Sequence, residues 1–393
     1  MLNRKFFILT FIGIIGFGLN SPVQASDEIE QLKKMILDQQ HQLDQLKKKL
    51  QHQEQKIEAT AEVVDNQQES STSQSNTQLG GYGELHYNHS NKGDDQLDFH
   101  RFVLFASHKF NERLRFFSEL EVEHSVSSSE DEGEVELEQA YLEYDLNEGN
   151  RIKIGSFLLP VGILNETHEP NTFYGVERNP VEKNIIPSTW WEGGVMLSGE
   201  IAKGLKYDFA LTSGFNTDAS ENYQVRSGRQ QAMKAVANDF AYTGRISWVV
   251  LPGVKLATTI QYQQDMTQGK DPNAGSALLI ETHAEVSRGN FGLRALYAHW
   301  DLNGAGPKSV GADQQKGWYI EPSYKLNEQW GVFARYNEWD NTASNNLFDS
   351  NKKQTSVGFN YWLDPKVVLK ADYESFSGAL DGNGFNLGMG YQF

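Results

Sequence analysis

FLLPVGILNETHEPNTFYGVERNPVEKNIIPSTWW, residues 157–191, repeats at neither the helical period nor the strand period. It holds four of the chain's ten prolines, Pro160, Pro170, Pro180 and Pro187. It also mixes charges closely: Glu166, His168, Glu169, Glu177, Arg178, Glu182 and Lys183. On both sides the chain alternates apolar and polar residues in segments of about ten. A structureless stretch of this length inside a compact domain is either functional or disordered. Its setting makes it a loop folded into the lumen of a β-barrel, where it narrows a pore.

Working outward, the alternation continues over 79–393. Sixteen strands are read at 79–88, 97–109, 113–124, 134–145, 151–157, 191–201, 205–213, 240–250, 254–265, 278–287, 291–301, 316–325, 329–339, 354–363, 366–376 and 384–393. Tight turns such as Asn111-Glu112, Pro252-Gly253 and Asp364-Pro365 alternate strictly with longer polar connections. That sorting belongs to a transmembrane barrel with short periplasmic turns and long outer loops. The fold class is therefore all-β membrane protein: a 16-stranded antiparallel barrel with its third long loop turned inward. In the last strand Phe385, Leu387, Met389, Tyr391 and Phe393 face lipid, and Asn386, Gly388, Gly390 and Gln392 face the lumen. Trp248, Trp300, Trp318, Trp330, Trp339 and Trp362 are read as interfacial girdles. A phase change near Gln139 calls for a β-bulge, and Pro322 within a strand calls for another.

Composition alone would mislead. Mean hydropathy is −0.56, yet a membrane barrel shows lipid only every second residue. Net charge is −17, and about −15 of it falls on 79–393, which argues against nucleic acid as a partner. Residues 1–25 read as a secretory signal peptide, with Arg4 and Lys5 before an apolar run and a small-residue cleavage site at Val23-Gln24-Ala25. Residues 26–65 carry Ile29, Leu32, Ile36, Leu43, Leu46, Leu50, Ile57 and Val64 at heptad spacing, the pattern of a periplasmic coiled coil. Residues 66–78 contain no apolar residue and read as a flexible linker.

A chain ending in Tyr391-Gln392-Phe393 resembles outer-membrane barrels. Ile152 to Gly162 (IKIGSFLLPVG), Gly175-Val176-Glu177-Arg178 and Trp191-Glu192-Gly193-Gly194-Val195 together resemble the phosphate/polyphosphate-selective porins O and P. The resemblance covers about 79–393. It implies a trimeric 16-stranded porin of the cell outer membrane, in contact with lipid and lipopolysaccharide, with loop 3 folded inward. Phosphate-selective members use a dense ladder of arginines and lysines, whereas this barrel is acidic. The N-terminal coiled coil is also reminiscent of sugar porins with periplasmic extensions.

A diffusion pore needs no catalytic group and no cofactor. It needs charges at a constriction that sort solutes. The inward loop offers Glu166, Glu169, Glu177, Arg178, Glu182 and Lys183. By alternation the wall offers Arg101, Arg115, Arg245, Arg294 and Arg335. An acidic loop facing a basic wall would set up a transverse field; the same residues would otherwise simply hold the loop by ion pairs. Glu119, Glu121 and Glu123 alternate inward on the third strand, as a cation-attracting vestibule or a solvated face. Glu130, Asp131, Glu132 and Glu134 form an acidic outer loop that either binds divalent cations or is merely solvated. Arg226, Arg229 and Lys234 either gather anions at the mouth or lie on the surface. No metal-ligand spacing and no G-x-S-x-G elbow occurs, so the reading is of no enzyme. It is a porin passing small hydrophilic solutes and ions passively, or a channel with a specific site for phosphate, another anion or a sugar.

Overall fold

A computed structural model describes residues 76–126, 133–345 and 347–393. The expected signal peptide, the coiled coil, nearly all of the linker, and Glu130, Asp131 and Glu132 lie outside the described residues.

Sixteen strands form one closed antiparallel barrel. They are β1 (Thr77–Ser90), β2 (Gln96–Lys109), β3 (Leu114–Glu123), β4 (Val135–Asn147), β5 (Asn150–Leu158), β6 (Trp191–Ala202), β7 (Leu205–Thr212), β8 (Ala241–Leu251), β9 (Val254–Gln263), β10 (Ala277–Arg288), β11 (Phe291–Leu302), β12 (Gln314–Lys325), β13 (Trp330–Asp340), β14 (Lys352–Asp364), β15 (Val367–Gly378) and β16 (Gly382–Gln392). Every strand end lies within two residues of the sequence reading. Closure joins β1 to β16: the Gly81 and Phe393 amides donate to each other's carbonyls at 3.1 and 2.9 Å. No edge is left, so every strand can satisfy its backbone within lipid.

Alternation explains the two faces. In β9, Leu256, Ile260 and Tyr262 are exposed while Ala257, Thr259, Gln261 and Gln263 are buried. An outward band of Leu104, Leu120, Leu142, Phe209, Ile246, Ile280 and Leu387 continues around the barrel, as a lipid-facing surface requires.

The bulge near Gln139 is present. Gln139 pairs with Glu119 and Leu137 with Leu120, which leaves Glu138 as the extra residue. The bulge expected at Pro322 is absent. Pro322 pairs with Leu293 on one side; on the other, the β12–β13 ladder skips Glu321 and Pro322 without a register shift. A proline lacks one donor, and dropping two rungs accommodates that without inserting a residue. The tryptophan girdle also needs correction. Trp248, Trp318 and Trp330 face out, but Trp300 and Trp339 are buried inside, and Trp362 packs against Tyr174 at 5.7 Å. Strand phase decides this: Trp362 shares the inward face of Asn360, whose amide reaches the carbonyl of Phe173.

Candidate functional site

Residues 159–190 touch inward side chains on walls far apart. Thr259 on β9 donates to the Pro160 carbonyl at 3.1 Å. His168 lies 3.5 Å from Glu119 on β3. Asn171 reaches Gln392 at 3.1 Å, and the Val176 amide donates to Asp372 on β15 at 2.6 Å. Glu177 accepts from His86 on β1 at 2.9 Å and from Asn88 at 3.1 Å. Tyr319 on β12 donates to Glu182 at 2.7 Å. A segment with partners on all these strands runs across the lumen.

Its backbone has no ladder, so side chains satisfy it. Asn165 closes the base: its amide nitrogen donates to the Leu159 and Trp190 carbonyls at 2.8 and 2.9 Å, and its oxygen accepts from the Trp190 amide at 2.7 Å. Glu182 accepts from the Ile163 and Leu164 amides at 2.8 and 2.6 Å as well as from Tyr319. Burial pushes the Glu182 pKa up, and these donors oppose that rise. Asn179 caps the one-turn helix α1 (Pro180–Asn184), accepting from the Glu182 amide at 2.9 Å.

Apolar packing holds the loop as well. Leu159, Val161, Ile163, Val181, Ile185, Ile186 and Trp190 are buried together with Phe215, Trp300 and Tyr319. Each large apolar side chain contributes about 1.5–3 kcal/mol on burial. Wall glycines make room for the loop. A Cβ on Gly390 would strike Pro170, and one on Gly388 would meet Val176 Cγ1 at 3.0 Å. Gly390→Leu is therefore expected to displace residues 168–178, at an overpacking cost of about 1–3 kcal/mol. Limited proteolysis should then cut within 168–178 in the variant and leave the same segment intact in the parent protein.

Charge pairing occupies most of the charges named from the sequence. All five wall arginines face inward, and each is occupied. Arg101 meets Glu84 and Glu121 at 3.1 Å. Arg115 meets Glu143 and Asp145 at 2.6 Å. Arg245 pairs with Asp208 at 2.8 Å and with Glu166. Arg335 meets Glu321 at 3.3 Å. Arg294 donates to the Thr172 carbonyl at 2.9 Å and lies 3.9 Å from Glu285. Most loop glutamates are occupied too: Glu166 by Arg245, Glu177 by His86, and Glu182 by backbone and Tyr319. Glu169 has no ion-pair partner among the described residues, and it does not line the cavity described next.

That cavity, of about 200 Å³, lies toward the long-loop end. Arg178, Lys183, Arg226 and Arg229 line it from the loops, together with Arg101, Glu123, Glu134, Glu136 and Glu177. None of the four loop cations has an ion-pair partner among the described residues. Arg226 donates to the Lys183 and Ser188 carbonyls, each at 2.8 Å, and Arg229 donates to the Thr189 and Pro187 carbonyls. Segment 214–240 is thereby folded onto loop 3, and two of its three basic residues point inward. Lys234 is exposed and does not line the cavity. Burial, then the neighbouring Arg229 and Arg178, push the Arg226 pKa down to about 9. Desolvation within the cavity lowers Lys183, helped by Arg226 and Arg178, and burial lowers Arg229. A guanidinium stays protonated regardless, so the crowding amounts to positive charge that an anion would relieve.

A second cavity, of about 830 Å³, lies toward the short-turn end. It is lined by Arg115, Glu143, Asp145, Glu166, Asp208 and Arg245, among others.

Comparison with known proteins agrees with this architecture. The family model of phosphate-selective porins O and P matches residues 74–375. An uncharacterised protein of Aquifex aeolicus (strain VF5) is 30% identical over 335 residues, covering 75% of this chain and 74% of that one. An anion-selective porin from Comamonas acidovorans superposes with a TM-score of 0.58 at 13% identity, covering 81% of this chain and 99% of that one. The trimer form of OmpT, an outer membrane protein of Vibrio cholerae, gives 0.54 at 11% identity, with 81% and 99% covered.

Proposed function

Since this chain belongs to the family of phosphate-selective porins O and P, we propose that the charges brought in by its lumenal loops sort the solutes it passes. The protein is an outer-membrane porin, a channel for diffusion rather than an enzyme. In the proposed mechanism, loop 157–191 narrows the path and segment 214–240 completes one side of it. Arg178, Lys183, Arg226 and Arg229 form a basic side; Glu123, Glu134 and Glu136 form an acidic side. Small hydrophilic solutes cross passively, with anionic groups drawn along the basic side. The observation that carries this is the convergence on one cavity of four cations that have no ion-pair partner among the described residues. Arg101, Arg115, Arg245, Arg294 and Arg335 act mainly as wall partners that neutralise lumenal carboxylates.

A specific anion site is the second reading. The Thr189 hydroxyl, which accepts from Arg178 at 2.7 Å, adds a hydroxyl beside the cations at the same cavity, a donor set suited to a phosphate-like group. Planar-bilayer recording separates the two. Stepwise channels whose chloride current is unaffected by millimolar phosphate support simple diffusion. A saturable phosphate block supports the specific site, and no channels at all would overturn both.

In the same reading the protein is a homotrimer embedded among outer-membrane lipid and lipopolysaccharide. Residues 1–25 serve as its signal peptide, 26–65 as a periplasmic coiled coil and 66–78 as the linker to the barrel.

A further inference from the structure

Midway along β3, between Arg115 at one cavity and Glu123 at the other, Glu119 points inward. From the neighbouring strand the β4 bulge sends Glu138 to the same place. Strict alternation would turn only one of two consecutive residues inside; here both Glu138 and Gln139 are buried. Bulges commonly re-aim a side chain in this way. His168 enters from loop 3 on the opposite side, with Nε2 3.5 Å from Glu119 Oε1 and 3.5 Å from Glu138 Oε2.

The three side chains are only 1–3% exposed. The three atoms facing one another have no hydrogen-bond partner. Such buried, unsatisfied polar groups need an explanation. The outer contacts are already arranged. His168 Nδ1 lies 3.2 Å from the Asn165 carbonyl. A carbonyl only accepts, so Nδ1 carries a proton, and Nε2 is the ring nitrogen left facing the carboxylates, where a metal would take the place of a second proton. The other oxygen of Glu119 accepts from Gln139 Nε2 at 2.6 Å. Metal-binding histidines and carboxylates are oriented by second contacts of this kind.

The spacing fits a metal. Bonds of about 2.0–2.1 Å in a tetrahedral zinc site separate its ligand atoms by roughly 3.4 Å. The two nitrogen–oxygen separations here are 3.5 Å, and all three ligand atoms lie within 4.8 Å of one another. Charge fits as well: two carboxylates bring −2 into a water-poor setting, which a divalent cation bound in place of a proton on Nε2 cancels. The rival occupant, a proton on Nε2, cancels only half of it. Two other His/carboxylate groups, around His86 with Glu177 and around His124 with Asp98, share His100 and are partly exposed. In the first, both His86 nitrogens already meet carboxylates, at 2.9 and 3.2 Å.

We propose that Glu119, Glu138 and His168 form a divalent-metal site, best filled by zinc, that fastens loop 3 to the β3–β4 wall. One imidazole with two carboxylates is a ligand set suited to zinc, and a fourth position remains for water. The proposal stands independently of the selectivity reading.

The test is zinc titration of the full-length protein in detergent after chelator treatment. One high-affinity zinc per chain is expected, weakened about 100-fold or more in His168→Gln and about 10–100-fold in Gln139→Leu. His100→Gln should leave it unchanged. No uptake at micromolar zinc, or full retention in a folded His168→Gln variant, overturns the proposal. Should that variant not fold, zinc-edge X-ray absorption of the parent protein decides. A shell with one imidazole supports the site; a shell with two imidazoles places the metal at a different cluster and overturns it.

Discussion

Arg226→Glu with Arg229→Glu will move the zero-current potential in a tenfold KCl gradient toward cation preference. The expected shift is on the order of 10 mV or more, against a full range of about 59 mV for a monovalent ion. The physical reason is local. These two guanidinium groups line the 200 Å³ cavity without an ion-pair partner among the described residues, so reversing them changes the potential a solute meets by four unit charges. The wall arginines behave differently. Arg335 and Glu321 are each 4% exposed and 3.3 Å apart. Arg335→Glu breaks this buried pair and sets a second carboxylate against Glu321, at a cost of about 3–5 kcal/mol. Lost folded protein, measured as a lower melting temperature, is the expected readout there rather than a clean change of selectivity.

Glu182→Ala will open the pore. One carboxylate holds the two ends of loop 3 together through the Ile163 and Leu164 amides and ties both to Tyr319. Hydrogen bonds to a charged group are worth about 1.5–3 kcal/mol each, so three of them exceed what a loop of this kind can lose while staying in one position. Single-channel conductance in 1 M KCl should rise severalfold. The barrel itself should remain folded, because its sixteen ladders do not involve Glu182. Unchanged conductance would mean that loop 3 does not limit the current. Glu182→Gln, which keeps one acceptor for the amides, should fall between the two.

The barrel was legible because its signal is periodic. Alternation fixed sixteen strands, the outward band and even the bulge at Glu138, since one extra residue visibly shifts the phase of 134–146. Trp300 and Trp339 were misassigned as girdle residues because a large aromatic serves equally at an interface or in a core; only strand phase separates the two. The loops were harder. Inward alternation placed Arg101, Arg115, Arg245, Arg294 and Arg335 in the lumen, but pairing depends on contacts between residues as far apart as Arg245 and Glu166. No local pattern carries that information. Arg178, Lys183, Arg226 and Arg229, which have no ion-pair partner among the described residues, sit on the loops. Asn165 gave no sequence signal at all, although it closes the base of loop 3. His168 was visible only as one charge among several, and its meeting with Glu119 and Glu138 needs the bulge and the loop path together.

The chain has no cysteine, so a single engineered thiol reports on one position only. Lys183→Cys, treated in a planar bilayer with an anionic methanethiosulfonate reagent, tests most directly whether the loops supply the basic side of the water path. The account predicts rapid modification, a stepwise fall in current and a zero-current potential moved toward cation preference. An open channel that leaves the thiol unmodified, or whose current and potential stay the same after modification, would contradict it.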